Sequence, residues 1–112
     1  MLPRAHRISE PSDIRRLGRG GRRLDSKFFV ARLHQVTGSS PSRFAFIVSK
    51  QVGGAVTRNR VKRRLRSLAQ EELAGHPIGW DVIVRALPPA ASVSYQEMER
   101  SWRTAFSKAT AV

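Results

Sequence analysis

The order of apolar and polar residues along the chain predicts an alternation of strands and helices. Strand-forming apolar residues concentrate in residues 27–36, 43–49 and 80–86. Apolar residues at helical spacing predict helices over residues 12–17, 57–75 and 94–108. Glycine and proline interrupt the pattern in the N-terminal 12 residues, at residues 18–23, and in a predicted turn from Thr37 to Pro41. Strand, crossover helix, strand and return helix predict one sheet layered with helices, an α/β sandwich.

The predicted helix over residues 57–75 has a continuous apolar stripe. Its members recur at helical spacing and are Val61, Leu65, Leu68, Ala69 and Leu73. Thr57 is a suitable N-cap, and Gly75 followed by Pro77 is a suitable end. The stripe predicts that one face of this helix is buried.

Two other elements carry specific expectations. The apolar residues of the second predicted strand are Phe44, Phe46 and Val48 on one face and Ala45 and Ile47 on the other. Because both faces are apolar, a central position in the sheet is predicted. The start of the last helix, Ser94 to Glu97, has the form of a capping box.

The charges are segregated along the chain. The formal net charge is +13 over 112 residues. Between Ser26 and Gln70 there are ten Lys and Arg residues and no Asp or Glu. Self-repulsion on this scale opposes a compact fold, so a polyanionic partner such as nucleic acid is expected.

The most basic segment lies in the predicted long helix, where six cations fall within the nine residues from Arg58 to Arg66. They occupy the positive end of the helix dipole, and Glu71 and Glu72 occupy the negative end, which is unfavourable for an isolated helix. A solvated charged face is the alternative, but arginine predominates here and offers bidentate phosphate contacts. The predicted RNA-binding residues are Arg58, Asn59, Arg60, Lys62, Arg63, Arg64 and Arg66. Asn59 either positions the loop by a local hydrogen bond or contacts the RNA.

Other chemistries receive little support from the residues. The chain has no cysteine, which excludes disulfides and thiolate zinc sites. The acids form no recognisable acid–base pair, His6, His34 and His76 lie in different predicted elements, and Gly53-Gly54 lacks a following P-loop lysine. No apolar run approaches the roughly 20 residues that cross a bilayer, and no signal-peptide core is present, so a soluble intracellular protein is expected.

Residues 44–66 carry a highly specific motif. They read FAFIVSKQVGGAVTRNRVKRRLR, a strand ending in Ser-Lys, then a Val-Gly pair, an Ala-Val pair and an Arg-Asn-Arg helix. This order and spacing closely resemble those of the bacterial ribonuclease P protein component. Looser similarity to that family extends to residues 7–8, 20–23, 81–86 and 94–100.

The resemblance implies a single domain over residues 1–112. Its expected fold is an α/β two-layer sandwich with a central mixed β-sheet, ribosomal protein S5 domain 2-like, with a left-handed βαβ crossover. It also implies a subunit that joins a catalytic RNA and supports endonucleolytic removal of the 5′ leader from precursor tRNA. The chemistry is expected to belong to the RNA, with Mg²⁺ held through the RNA subunit, so that the protein binds no cofactor and is inactive alone. The expected partners are the ribonuclease P catalytic RNA and precursor tRNA, in a cytoplasmic complex of one protein monomer per RNA with no membrane contact.

The resemblance further implies a cleft between the sheet and the N-terminal helix that contacts the single-stranded leader. The residues expected to bind the leader are Phe28, Phe44, Phe46, Ser49 and Lys50. Ile14 and Gly18 stand where the family usually has aromatic residues. Stacking on leader bases is therefore expected to be weaker, and discrimination among leader sequences modest.

Two other functions make different predictions. A basic RNA-binding module of the ribosomal-protein type would bind RNA without increasing precursor cleavage. A self-sufficient protein nuclease would need a carboxylate cluster for magnesium, and the sequence shows none.

Overall fold

The computed structural model describes residues 2–36 and 38–110, so Thr37 of the predicted turn lies outside the described residues. The strands are β1 (Arg22–Asp25), β2 (Phe29–Gln35), β3 (Arg43–Ile47) and β4 (Trp80–Ala86). The helices are α1 (Pro11–Leu17), α2 (Ala55–Gly75) and α3 (Tyr95–Thr110), with short 3-10 turns at Arg4–His6 and Pro88–Ala91. The predicted bounds of β4 are confirmed, and the other predicted elements are confirmed to within a few residues.

The four strands form one mixed sheet in the order β1-β2-β4-β3. β2 pairs antiparallel with both β1 and β4, whereas β3 and β4 are parallel. A parallel pair needs a crossover connection, and α2 is that connection. The predicted α/β class with a central mixed sheet is confirmed.

The prediction that the second strand is central is wrong, because β3 lies at the edge of the sheet. Its two faces are apolar because each is covered: Phe44 packs in the main core, and Ala45 packs in a smaller cluster on the opposite face. The free edge of β3 is partly closed by the N-terminal segment, where the Ile8 N–H donates to the Phe44 carbonyl at 3.0 Å. Burial of both faces therefore arose from helices above and below, not from a neighbouring strand on each side.

The main core lies between one face of the sheet and helices α2 and α3. The predicted stripe of α2 contributes Val61, Leu65, Leu68 and Ala69, all buried, with Leu73 packed at the margin. The Trp102 ring of α3 stacks on Phe106 with a centroid distance of 4.2 Å and lies 5.5 Å from the Phe29 ring of β2. These contacts fix both long helices on the same face.

The opposite face carries a smaller cluster beneath α1. Its buried members are Ile8, Leu17, Ala45 and Ile83, with Ile14 and Ile47 packed against them. A hydrogen bond between His34 Nε2 on β2 and the Leu17 carbonyl, 2.6 Å long, ties the end of α1 to the sheet. Because α1 is short, it covers only part of this face.

β1 follows a tight glycine turn within the segment that the sequence predicts as a break. Gly20 and Gly21 have φ angles of +72° and +67°, which glycine adopts without steric cost. A Cβ atom at Gly21 would lie 2.5 Å from the Leu33 carbonyl oxygen, so only glycine fits this close to β2. The turn places Arg22 and Arg23 in strand β1, although the β-propensity of these residues does not predict a strand there.

Of the two helix N-caps predicted from the sequence, the one at α2 is wrong and the one at α3 is confirmed. Thr57 is not the N-cap of α2, since the helix begins at Ala55 and the Gly54 carbonyl accepts the first helical bond from the Arg58 N–H at 2.9 Å. At α3, the Ser94 hydroxyl accepts a hydrogen bond from the Glu97 N–H at 3.2 Å, as a capping box requires.

A bidentate ion pair joins the first residue of β3 to β4. Arg43 Nε and Nη2 donate to the two carboxylate oxygens of Asp81 at 3.0 and 2.8 Å. The Asp81 side chain is 8% exposed and that of Arg43 is 34% exposed. The hydrogen bond to Asp81 raises the pKa of the Arg43 guanidinium above its ordinary value, so Arg43 keeps its charge at neutral and alkaline pH.

Replacing Arg43 by alanine is expected to lower the free energy of unfolding by about 1–3 kcal/mol, because the buried Asp81 carboxylate loses its partner. Urea unfolding followed by tryptophan fluorescence measures this change. Arg16→Ala, which breaks an exposed pair with Asp13, is the matched control and should cost at most about 1 kcal/mol. Equal costs for the two variants would show that the Asp81 carboxylate is solvated in the folded state.

Candidate nucleic-acid interface

All the residues predicted to bind RNA lie on the N-terminal half of α2. Asn59 and Arg63 are exposed, and the other five, Arg58, Arg60, Lys62, Arg64 and Arg66, are partly buried. The first turn of the helix contains no acidic residue. The fold therefore gathers the basic segment into one cationic surface about the start of α2.

One flank of this surface is built onto the segment that precedes α3. Arg60 Nη2 donates to the Ala91 carbonyl at 2.6 Å, and Arg64 Nη1 donates to the Val93 carbonyl at 2.7 Å. These bonds hold the two guanidinium groups in fixed positions. The Nε of Arg60 is buried, so a ligand would use the other nitrogens of its fork, Nη1 above all, and the free N–H groups of Arg64. A groove of about 280 Å³ lies here, lined by Arg60, Arg63, Arg64, Ser67 and Tyr95.

The Tyr95 hydroxyl is a neutral hydrogen-bonding group in that groove. Burial, with smaller contributions from Glu71 and Glu99, raises the pKa of Tyr95 above its ordinary value. The phenol therefore keeps its proton at physiological pH and remains able to donate to a phosphate oxygen.

The other flank of the α2 surface faces the N-terminal segment. Lys62 and Arg66 line a groove of about 180 Å³ together with Arg7, and the half-buried ring of Phe46 forms part of its wall. Cations thus flank α2 on two sides. A polyanion lying along the helix would meet basic side chains across its full width.

The acidic residues at the C-terminal end of α2 have structural partners on α3. Glu71 lies 3.4 Å from Arg103 Nη2, and Glu72 accepts a hydrogen bond from Trp102 Nε1 at 3.2 Å. These contacts explain why the acids stand at the end of the helix where the dipole disfavours them.

A second cationic feature, which the sequence analysis missed, lies on the opposite face of the sheet. Arg23, Arg32 and Arg85 line a trough of about 310 Å³ with Val30 and Ile83 on its floor. In the sheet register Arg23 lies beside Arg32, and Val30 lies beside Arg85. Within residues 2–36 and 38–110, neither Arg32 nor Arg85 has a hydrogen bond or ion pair.

The strand alternation contained a signal for this trough. Arg32 and Arg85 each interrupt the apolar run of a strand, next to Leu33 and Val84, which are buried in the main core. Arginine at such a position must face away from that core. In the sheet register Arg32 lies opposite Ile83 and Arg85 opposite Val30, so the two arginines are diagonal neighbours. This register could not be read from the sequence.

The aromatic residues expected to bind the leader are not displayed on the trough face. Phe28 and Phe44 are buried in the main core, with exposures of 8% and 4%, so neither ring is open for stacking on a base. Phe46 is half-buried and packs on the same side. Burial therefore opposes the expected stacking on Phe28 and Phe44. The ring of Phe46 lines the groove that also contains Ile14 and Lys62, and its role in leader binding stays a prediction. Ser49 and Lys50 are exposed in the loop between β3 and α2, and their role stays a prediction.

Within residues 2–36 and 38–110, no group of three or more His, Asp or Glu side chains is placed to hold a metal ion. No helix in that part of the chain is both long and apolar enough to cross a membrane.

A mixed sheet with an arginine-rich crossover helix on one face and an arginine-lined trough on the other defines a nucleic-acid-binding protein. The family model described as Ribonuclease P matches residues 2–110. The chain is 45% identical over 109 residues to the ribonuclease P protein component of Kocuria rhizophila, covering 97% of this chain and 96% of that protein. It is 44% identical over 102 residues to that of a Nocardioides species, covering 89% and 87%.

Solved structures agree with these relatives. The RNase P protein of Staphylococcus aureus superposes with a TM-score of 0.84 at 27% identity, covering 96% of this chain and 97% of that one. The RNase P protein from Thermotoga maritima shares the fold, with a TM-score of 0.75 at 20% identity and coverage of 88% and 92%. The chain therefore belongs to the ribonuclease P protein family, the protein component of the enzyme that processes the 5′ end of tRNA. It is part of an endoribonuclease, its partner is the ribonuclease P RNA, and the resemblance found in the sequence is confirmed.

Replacing Arg63 by alanine is expected to weaken binding to the ribonuclease P RNA and to reduce the log–log salt slope by roughly 0.7–0.9, the value for one lost phosphate contact. Arg63 is exposed and has no hydrogen bond or ion pair within the described part of the chain, so the free energy of unfolding should not change. Filter binding at several salt concentrations and urea unfolding measure the two quantities.

Arg64→Ala is the matched comparison, because Arg64 also bonds to the Val93 carbonyl. That variant should lose RNA affinity and also about 1 kcal/mol of stability, the usual net value of such a bond. A fall in the affinity of the Arg63 variant without a change in salt slope would show that Arg63 does not contact a phosphate.

Proposed function

We propose that this protein holds two RNAs at once, the catalytic RNA on the α2 surface and the single-stranded 5′ leader of precursor tRNA in the trough. The observation that carries the proposal is the placement of two separate cationic surfaces on opposite faces of one sheet. α2 packs on the main-core face, and the trough of Arg23, Arg32 and Arg85 opens on the α1 face. Two strands of RNA can therefore be bound without competing for the same side chains.

The α2 surface suits a large, folded RNA. Its cations are dense, partly fixed by main-chain carbonyls, and spread over both flanks of the helix. Such an array meets closely spaced backbone phosphates, as in packed RNA helices, and the RNA in turn relieves the like-charge repulsion within α2. Arginine forks add bidentate contacts that fix orientation.

The trough suits an unpaired strand. Val30 and Ile83 offer an apolar floor for bases or riboses, and the three arginines offer partners for phosphates. Guanidinium groups also stack on base planes, so arginine supplies part of what the missing aromatic residues would give. Binding of this kind is governed by charge and is tolerant of base sequence.

The proposed division of labour leaves bond cleavage to the RNA and its Mg²⁺ ions. The described surfaces supply arginine and lysine, which bind phosphate but do not coordinate Mg²⁺. The protein contributes by neutralising phosphate repulsion between the catalytic RNA and its substrate, as one protein monomer per RNA. This assembly would act in the cytoplasm on newly made precursor tRNA and leave the mature 5′ end.

Cleavage of precursor tRNA by the reconstituted complex tests the proposal. The protein should raise the rate strongly at low Mg²⁺ and much less at high Mg²⁺, because divalent ions then screen the same RNA–RNA repulsion. Protein without RNA should cleave nothing. Equal stimulation at all Mg²⁺ concentrations would rule out an electrostatic role, and cleavage by the protein alone would overturn the division of labour.

The trough is tested by comparing precursor tRNAs with long and very short leaders. Wild-type complex should bind the long-leader substrate more tightly, and the Arg32→Ala/Arg85→Ala variant should lose most of that preference while keeping its affinity for the catalytic RNA. Lys50→Ala tests the exposed loop in the same way and should shrink the preference less. Loss of catalytic-RNA affinity in the Arg32/Arg85 variant would place the trough against the ribozyme instead.

A further inference from the structure

A further groove lies between β1 and α3 and shares only Arg23 with the trough. Its volume is about 600 Å³, and Arg22, Arg23, Arg100 and Lys108 supply its cations. β1 is the outer strand of the sheet, and Arg23 lines this groove as well as the trough. The groove therefore continues the trough around the edge of the sheet.

The charges of the groove favour an anionic occupant. Its two acids, Asp25 and Glu97, are outnumbered by four cations. Asp25 is already paired with Arg23 Nε at 2.9 Å, and Glu97 lies in the first turn of α3, where the helix dipole stabilises it.

Two of the groove cations are available to a ligand. Arg22 is engaged, since its Nη1 and Nη2 donate to the Ala109 and Lys108 carbonyls at 3.3 Å each. The side chains of Arg100 and Lys108 are exposed and, among residues 2–36 and 38–110, have no hydrogen bond or ion pair. The hydroxyls of Ser26 and Ser101 lie in the same groove and share a hydrogen bond of 2.9 Å. One of them donates to the other, and the acceptor keeps its own O–H to donate to a phosphate or ribose oxygen.

We propose that the single-stranded leader leaves the trough over the β1 edge at Arg23 and continues into the β1–α3 groove. Nucleotides farther from the cleavage site would lie there, with their phosphates against Arg100 and Lys108. The path is short, because β4 and β1 are two strand spacings apart, roughly 10 Å. This inference rests on the proposed binding of the leader in the trough.

One observation favours a nucleic-acid strand over an acidic peptide as the occupant of this groove. It is continuous with an arginine-lined surface that already suits an unpaired nucleic-acid strand. An acidic peptide pairing with the open edge of β1 is the competing occupant, and the experiment separates the two.

The test uses the full complex with precursor tRNAs whose leaders are about 4 and about 16 nucleotides long, which bracket the usual site size of single-strand-binding domains. Arg100→Ala/Lys108→Ala should weaken binding of the long-leader substrate about 3- to 10-fold at moderate salt and lower the salt slope by roughly 0.7 per lost contact. Binding of the short-leader substrate and of the catalytic RNA should not change.

Arg103→Ala is the matched control, because Arg103 is an exposed α3 cation paired with Glu71 and Glu99 outside the groove. It should leave the leader-length dependence intact. Equal losses for both leaders, or no loss for the long one, would overturn the inference. The inference would also be overturned if the Arg100→Ala/Lys108→Ala variant kept its affinity for the long-leader substrate but lost affinity for an acidic test peptide.

The same measurements separate this inference from the proposed function. If Arg32→Ala/Arg85→Ala removes the leader preference and Arg100→Ala/Lys108→Ala does not, the trough stands and the groove assignment fails. If the wild-type complex shows no preference for a leader of either length, the proposed function itself fails.

Discussion

The packing of α2 is the constraint on which the rest of the structure depends. Each of Val61, Leu65 and Leu68 is buried against the sheet, which stabilises the fold by about 1.5–3 kcal/mol per side chain. The like-charge pairs at i, i+4 cost about 0.2–0.5 kcal/mol each, and cations at the positive end of the dipole cost about 0.3–1 kcal/mol each. Burial therefore outweighs the electrostatic cost, so the helix stays folded while it presents a cationic surface to a polyanion.

The proposed binding of two RNA strands depends on the inner strand β4, which is covered unequally on its two faces. β4 buries Val82 and Val84 in the main core under α2 and α3, and Ile83 in the smaller cluster under α1. The short α1 leaves the part of that face nearest β1 open, and Arg32 and Arg85 lie there. A longer N-terminal helix would cover the trough, so the length of α1 is as important to the proposed function as the arginines themselves.

The sequence was sufficient for features that depend on local pattern and insufficient for those that depend on pairing. The stripe of α2, its cations and the bounds of β4 follow from periodicity and composition. The edge position of β3 could not be predicted from this pattern. A strand whose two faces are covered by helices has the same apolar sequence as a strand with neighbours on both sides. Arg23 and Arg32 become neighbours only through the glycine turn that forms β1, and the burial of Phe28 and Phe44 depends on which face meets α3.

If RNA binds to α2 as proposed, Arg60 and Arg64 link RNA binding to tertiary structure, because the same guanidinium groups serve both. Their bonds to the Ala91 and Val93 carbonyls fix the segment that leads into α3. In α3, the Trp102 ring packs against Phe29 and Phe106 in the main core. An RNA phosphate drawing either arginine away would leave a carbonyl without its partner, at a cost comparable to the bond gained. The favoured mode of binding is therefore one in which RNA uses the remaining N–H groups of the fork.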